Sequence, residues 1–114
     1  MGNLISASAF TIYFVAKVTV ITDSTTIENN DCLLGTYTAA RHFGLYFRTS
    51  NGLTAQTYDG TTVKSATTAY TSATWAIITM KLDSGTFSIR VNNNTPATVG
   101  SVSNVDATTL AQQL

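Results

Sequence analysis

Helix-forming and charged residues are scarce in this chain of 114 residues. It contains one glutamate, Glu28, with three lysines and three glutamines, and only 11% of its residues are charged. No segment places apolar residues at the spacing i, i+3, i+4, i+7 that an amphipathic helix needs. Threonine, by contrast, supplies about a fifth of the chain, and it suits a pleated strand, as do valine, isoleucine, tyrosine and phenylalanine. The composition therefore predicts an all-β protein.

Cysteine is almost absent. The single cysteine, Cys32, excludes a disulfide within the chain. Secreted domains of this size commonly rely on disulfides, so their absence favours folding in a reducing cytosol. Because Cys32 stands beside Leu33 and Leu34, we interpret it as a small buried apolar residue rather than a reactive thiol.

Charges of the two signs are balanced as well as few. Six basic and six acidic residues give a formal net charge of zero, and the basic residues are scattered along the chain. Binding to nucleic acid needs clustered lysine and arginine, so we expect no nucleic-acid partner. A neutral, threonine-rich surface is instead typical of proteins that act outside cells or in viral particles.

Long hydrophobic runs are missing too. The longest apolar stretch, residues 10–21, is interrupted by Thr11, Lys17 and Thr19, and it is too short and too mixed to cross a membrane. The first residues lack the basic region, apolar core and cleavage site of a signal peptide. We therefore expect no membrane partner, synthesis in the cytoplasm without a signal peptide, and a final location in a virion or outside the cell.

The sequence does contain segments in which apolar and polar residues alternate, and the clearest is residues 75–94. Apolar residues alternate with polar ones on both sides of the segment 83–85: Ile78, Met80 and Leu82 before it, and Phe87, Ile89 and Val91 after it. A side-chain period of two indicates a strand, and the glycine-containing segment Asp83-Ser84-Gly85 between two such runs indicates a tight hairpin.

Shorter alternating segments occur along the rest of the chain. Further strands are predicted over 10–21, 32–37, 42–49, 53–58, 61–65 and 97–99, with a polar connecting loop over 67–74. In the first of these, Tyr13 and Val15 lie opposite the main apolar face, and that second face is apolar enough to be partly covered. About eight short strands spaced by roughly 8–12 residues predict a single antiparallel β-sandwich or jelly roll over residues 1–114.

Three of these segments resemble strands of the concanavalin A-like (laminin G-like) jelly-roll superfamily. They are Phe10 to Lys17 (FTIYFVAK), Trp75 to Thr79 (WAIIT) and Thr86 to Asn93 (TFSIRVNN), the last with asparagine where glycine is usual. Their order and spacing extend the resemblance over about residues 4–100. The resemblance implies a concanavalin A-like sandwich, and the composition favours a member of phage or other viral type.

Two departures from the superfamily pattern concern the ends of the chain. Its members usually begin with a further strand carrying an aspartate-glycine motif, and they usually close with one or two strands that return across the sheet. Neither is evident here, so we expect either a compact variant of the sandwich or a piece of a larger domain that lacks flanking strands. In the second case the open sheet edges need another chain to cover them, which predicts a homo-oligomer or contact with other virion proteins.

Catalytic and metal-binding patterns are sparse. Glycosidases of this superfamily use two neighbouring carboxylates on one strand, whereas the acidic residues here fall at predicted turns, loops or the chain end. The only histidine, His42, has no nucleophile motif with it, so we expect no enzyme activity and no transition-metal site. No cofactor is expected, although calcium is an alternative at the loop residues Asp23, Asn29, Asn30 and Asp31.

A carbohydrate site is the other candidate. Sugar-binding folds pair an exposed aromatic ring with hydrogen-bonding side chains, and Tyr46 shares a strand face with Arg48, with Tyr37 and Tyr58 as further candidates. The alternative is that these tyrosines close a second layer with their hydroxyls at its rim. Trp75 is expected to pack in the core or at a strand end.

These features favour a non-enzymatic structural or adhesive module. We expect a virion component, such as a capsid decoration or tail protein. The alternative function is a lectin-like module that binds carbohydrate, including cell-surface glycan.

Overall fold

The computed structural model describes residues 9–19, 32–38, 41–47, 52–58 and 62–102, with residues 32–38, 41–43 and 58 described by their backbone alone. These ranges contain eight strands. They are β1 (Phe10–Ala16), β2 (Cys32–Thr38), β3 (Arg41–Phe47), β4 (Gly52–Tyr58), β5 (Val63–Ala69), β6 (Ala76–Asp83), β7 (Thr86–Val91) and β8 (Ala97–Val99). The described residues contain no helix long and apolar enough to cross a membrane.

The strands form two antiparallel sheets. The first sheet has the order β1-β6-β7-β8, and the second has the order β2-β3-β4-β5. In the second sheet each strand pairs with its neighbour along the chain, whereas β1 pairs with β6, which lies far along the chain. The two sheets pack face to face, with β5 against β7 and β8. The protein is therefore an all-β antiparallel sandwich, as the composition predicts.

The hydrophobic core fills the space between the sheets because each strand sends every second side chain inward. From the first sheet come the buried residues Ala76, Ile78, Met80, Leu82, Phe87, Ile89 and Val91. From the second sheet and the segments that follow β5 and β8 come Leu45, Phe47, Leu53, Ala55, Ala66, Tyr70 and Val102. Phe10, Ile12, Phe14 and Ala16 of β1 pack at the side of this core and stay partly exposed.

The hairpin between β6 and β7 has the predicted tight turn. Asp83 pairs with Thr86, which leaves a two-residue loop, and both loop residues have positive φ: 49° at Ser84 and 77° at Gly85. Positive φ at both central positions is the mark of a type I′ turn, whose twist matches that of the flanking strands. The backbone N–H of Val102 then donates to the carbonyl of Gly85 at 3.0 Å, which ties the segment after β8 to the turn.

Two predicted boundaries are wrong. The polar segment 67–74 is not wholly a loop, because β5 runs on to Ala69 and pairs with β4 along its whole length. The first strand ends at Ala16 rather than near residue 21, since its last pairing partner, Ala76, is the first residue of β6. The chain ends, where the sequence suggests missing flanking strands, lie outside the described residues.

Candidate binding surface

The outer face of the first sheet carries four large apolar side chains that face solvent. Tyr13, Val15, Trp75 and Ile77 are 68%, 70%, 69% and 53% exposed. Val15 lies directly opposite Ile77 in the ladder between β1 and β6. Tyr13 and Trp75 stand two residues from Val15 and Ile77 respectively, on the same face. We call these four residues the apolar stripe.

The alternation of inward and outward side chains along each strand, here called strand parity, explains why the stripe faces outward. The inward positions of β6 are taken by Ile78, Met80 and Leu82, so the intervening Ile77 must point to the opposite face. In β1 the partly buried and exposed residues alternate strictly, which leaves Tyr13 and Val15 outside. The other described residues therefore do not supply the partial cover that the sequence predicts for these two residues.

A polar row crosses the sheet beside the stripe. Thr79 lies between Tyr13 on β1 and Arg90 on β7, and it is directly opposite each of them in register. Although it sits on the outer face, Thr79 is only 9% exposed. Its Oγ1 has no hydrogen-bond partner, and neither does the buried Nε of Arg90. Two residues that are paired across β6 and β7 thus each carry a buried polar atom without a partner, a condition that native proteins usually avoid.

This face also carries an excess of positive charge. Lys17, Lys81 and Arg90 all have outward parity, and in the part of the chain that the structure describes Asp83 is the one acidic residue. Asp83 is already engaged, because its Oδ2 lies 2.6 Å from Nζ of Lys81 and its Oδ1 accepts from Ser84 Oγ at 3.0 Å. The hydrogen bond from Lys81 is the main cause that lowers the pKa of Asp83, followed by that from Ser84. Lys17 and Arg90 thus flank the stripe without a carboxylate from these ranges.

The end of the face near Ile77 is held by Asn92. Its backbone N–H donates to the Ile77 carbonyl at 2.7 Å, and its Oδ1 accepts from the Ile77 N–H at 2.9 Å. Asn92 has a φ of 53°, a left-handed conformation that asparagine tolerates better than most residues. Two hydrogen bonds on one residue therefore fix the backbone under the stripe.

The four residues of the predicted carbohydrate site are placed differently. Tyr46 points away from the sandwich core, as predicted, but it is 3% exposed and its hydroxyl donates to Gln56 Oε1. A ring this buried offers no face for a sugar, so Tyr46 is not the exposed aromatic that such a site needs. Tyr37 lies on β2 and Tyr58 at the end of β4, and only the backbone of these two residues is described; Arg48 lies outside the described residues. A sugar site that uses these other residues stays a prediction.

The remaining site predictions are not tested. The candidate calcium ligands at 23 and 29–31 lie outside the described residues. His42 is the second residue of β3 and pairs with Tyr37 of β2. Within the described ranges, no group of three or more His, Cys, Asp or Glu residues could hold a metal ion.

Trp75 lies at a strand end, one of the two positions that the sequence predicts for it. It immediately precedes β6, and its ring is exposed rather than packed in the core. The signal that would have shown this was strand parity, because Trp75, Ile77 and Thr79 are all out of phase with the inward Ile78 and Met80. Aromatic size alone is a poor guide to burial when the parity of a strand points outward.

Comparison with known proteins supports the fold. No family model matches the chain. No curated protein matches it by sequence. Among solved structures, domains LG4-5 of the mouse laminin alpha1 chain are similar, with a TM-score of 0.66 and 15% sequence identity over 86% of this chain and 25% of that one. The chain thus spans about a quarter of the length of that laminin structure, and the likeness is one of fold: a concanavalin A-like, laminin G-like β-sandwich.

Proposed function

We propose that this chain is a non-enzymatic adhesive module that makes contact through the outer face of its first sheet. The observation that carries the proposal is the apolar stripe on a sheet whose inner face already forms the core. Soluble proteins seldom leave large apolar side chains together on a surface unless something binds there. Trp, Tyr and Arg are also the residues that contribute most often to binding hot spots, and Trp75, Tyr13 and Arg90 all lie on this face.

The carboxylates support a non-enzymatic role. Hydrolysis by two carboxylates needs an acid and a base or nucleophile on either side of the scissile bond. In the described ranges Asp83 has no carboxylate neighbour, and it is bound by Lys81 and Ser84 at the tip of a hairpin. The described ranges therefore hold no pair of neighbouring carboxylates that could carry out this hydrolysis.

We place this activity in a virion, such as a capsid decoration or tail, or outside the cell, with copies of the chain or other particle proteins as neighbours. The support is compositional: the chain is neutral, rich in threonine, and has a single cysteine. The test is to detect the protein by mass spectrometry in purified particles, or to find its gene beside capsid or tail genes. Its absence from such particles and gene neighbourhoods would count against the viral assignment and not against adhesion.

The adhesive proposal is tested by comparing variants on glycan and protein arrays. Val15→Ser combined with Ile77→Ser removes the centre of the stripe, and Val63→Ser is the matched control because Val63 is an exposed apolar residue on the other sheet. We expect the wild type and the control to share their targets and the double variant to lose about tenfold or more in affinity. Equal binding by the double variant, or no target for the wild type, would refute the proposal.

Carbohydrate binding is a second candidate function, and the exposed rings of Trp75 and Tyr13 favour it. An exposed aromatic ring can stack on the apolar face of a sugar, and neither ring is covered. Saturable glycan binding that is lost with Trp75→Ala but kept with Arg48→Gln would place the sugar on the outer face. Glycan binding that is lost with Arg48→Gln but kept with Trp75→Ala would place the sugar at the site that the sequence predicts around Arg48.

A further inference from the structure

The geometry points to an acidic protein segment as the partner of the outer face of the first sheet. We propose that this face docks a segment with large apolar side chains flanked by Asp or Glu, with one carboxylate directed at Thr79 and Arg90. This rests on the proposed adhesive function and deepens it by naming the chemistry of the partner.

The apolar stripe determines how the apolar side chains of the partner must be spaced. Trp75 and Thr79 are four residues apart on an extended chain, so Trp75 and Tyr13, which lies opposite Thr79, are separated by about 13 Å along the strands. Val15 and Ile77 fill the space between the two rings. A partner must therefore bring several apolar groups along an extended line, which side chains of an extended or helical segment can do.

The charged part of the partner is set by Lys17 and Arg90. Both lie on the stripe's face, whereas the positive charge of Lys81 is balanced by Asp83 at 2.6 Å. A second copy docked through the same face would bring two positively charged faces together, and juxtaposed like charges oppose association. Charge complementarity therefore favours carboxylates over a second copy of this chain.

The two unsatisfied polar atoms determine where one carboxylate of the partner would bind. Thr79 Oγ1 and Arg90 Nε are buried on adjacent strands and have no hydrogen-bond partner. Both atoms can donate, and a carboxylate accepts from two donors at once. Both atoms are closed to water in the free protein, so a neighbouring side chain must move aside before a carboxylate oxygen can reach them. Once it has moved, the two donors give up little hydration to the carboxylate.

A lipid surface fits these atoms less well. Thr79 is buried between Tyr13 and Arg90 on an inner strand of the sheet, so only a group that projects from a partner and displaces a neighbouring side chain can reach it. A protein side chain projects in this way. The headgroups of a bilayer form a broad plane, which would contact the exposed residues around Thr79 and not Thr79 itself. The same buried position gives the partner a fixed register along the strands.

The test begins with selection of short random peptides on immobilised wild-type protein, with counter-selection on Val15→Ser combined with Ile77→Ser. Selected peptides are then synthesised in their original form and with every Asp and Glu changed to Asn and Gln. Trp75 is the single tryptophan of the chain, so its fluorescence reports directly on coverage of the face. Circular dichroism and thermal unfolding verify that each variant is folded.

We expect selected peptides to combine large apolar residues with an excess of Asp and Glu, and to shift the Trp75 emission to shorter wavelength. Neutralising the acids, or introducing Ile77→Ser, should weaken binding about tenfold, whereas Val63→Ser should leave it within about twofold. Arg90→Gln should weaken binding more than Lys81→Gln, since Lys81 is already paired. Added salt should weaken the acidic peptides and not their neutralised forms.

Three results would overturn the inference. They are selected peptides without an acidic excess, self-association through this face in sedimentation experiments, and binding to phosphatidylserine vesicles that is tighter than binding to any selected peptide. Peptides that need Ile77 but no carboxylate would contradict the inference and leave the adhesive function standing. Absence of any glycan, protein or peptide ligand for this face would contradict both.

Discussion

The phenolic oxygen of Tyr70 accepts a hydrogen bond from the backbone N–H of Val18 at 2.8 Å. The same hydroxyl donates to the carbonyl of Thr74 at 3.0 Å, and the Tyr70 ring is buried in edge contact with Phe47, with centroids 5.0 Å apart. A further bond joins the N–H of Ala73 to the Val18 carbonyl at 2.7 Å. One buried side chain thus holds the segment after β1 beside the loop that leads into Trp75, and so fixes one end of the apolar stripe.

Tyr70→Phe is therefore expected to lower the free energy of unfolding by about 1–2 kcal/mol, because the Val18 N–H and the Thr74 carbonyl lose their partner while the ring stays packed. Urea denaturation measures the change. Hydrogen exchange of the Val18 and Ala73 amides should also accelerate. An unchanged urea midpoint with unchanged exchange would show that water replaces the hydroxyl without cost.

Gly85→Ala is expected to cost about 1–2 kcal/mol of stability, because Gly85 has a φ of 77° and a residue with a Cβ is strained there. Space is a lesser problem, since the added Cβ would lie 3.4 Å from the Val102 carbonyl oxygen. Gly85→Asn is the control, and it should cost less because asparagine tolerates the left-handed region. Thermal unfolding decides; equal losses for the two variants would point to crowding rather than to φ.

Thr57→Val is expected to leave stability unchanged or to raise it. Thr57 is fully buried and its Oγ1 has no partner, so the isosteric valine removes an unsatisfied polar group. Thr54→Val is the matched control on the same strand, since Thr54 Oγ1 lies 2.8 Å from Thr67 Oγ1. That variant should lose about 0.5–1.5 kcal/mol. Chemical denaturation of both proteins tests the contrast, which fails if Thr57→Val is the more damaging change.

Asp83 is expected to titrate below the usual range of an aspartate, because Lys81 and Ser84 hydrogen-bond to its ionised form. A lowered pKa means that the ionised carboxylate favours the folded state. This contribution is present above the ordinary pKa of aspartate and is lost as the pH falls through the lowered value. This contribution to stability is small, since both Lys81 and Asp83 are exposed and water screens their interaction. NMR titration of the carboxyl carbon should show a higher midpoint in Lys81→Gln than in the wild type, and equal midpoints would contradict the assignment.

Local alternation was enough to predict the eight strands, because a period of two is carried by neighbouring residues. Alternation does not predict where β5 ends, because Ala66 is the one buried apolar residue of that segment. Pairing with β4, whose described side chains are buried, extends β5 to Ala69. The sequence of β6 and β7 fixes their hairpin, but no local pattern reveals that β1 is the other neighbour of β6.

The candidate site was harder to predict, because parity tells which face a side chain is on and not whether that face is covered. The alternation predicts the correct face for Tyr46, which is nevertheless buried. It also predicts the correct face for Tyr13 and Val15, which the other described residues leave exposed. The pairing of Val15 with Ile77, which brings the stripe together, depends on the long-range register between β1 and β6 and is invisible in either strand alone.

That register has a kinetic consequence. The residues that β1 and β6 bring together are separated by more than half of the chain, whereas β6 and β7 meet across a two-residue turn. Closing so long a loop is entropically costly, and high contact order slows folding, so the β1–β6 ladder is expected to form late. During synthesis β1 cannot pair with β6 until β6 has left the ribosome. The proposed contact surface needs both strands, so it exists only in fully folded chains, and we expect the proposed adhesion only once folding is finished.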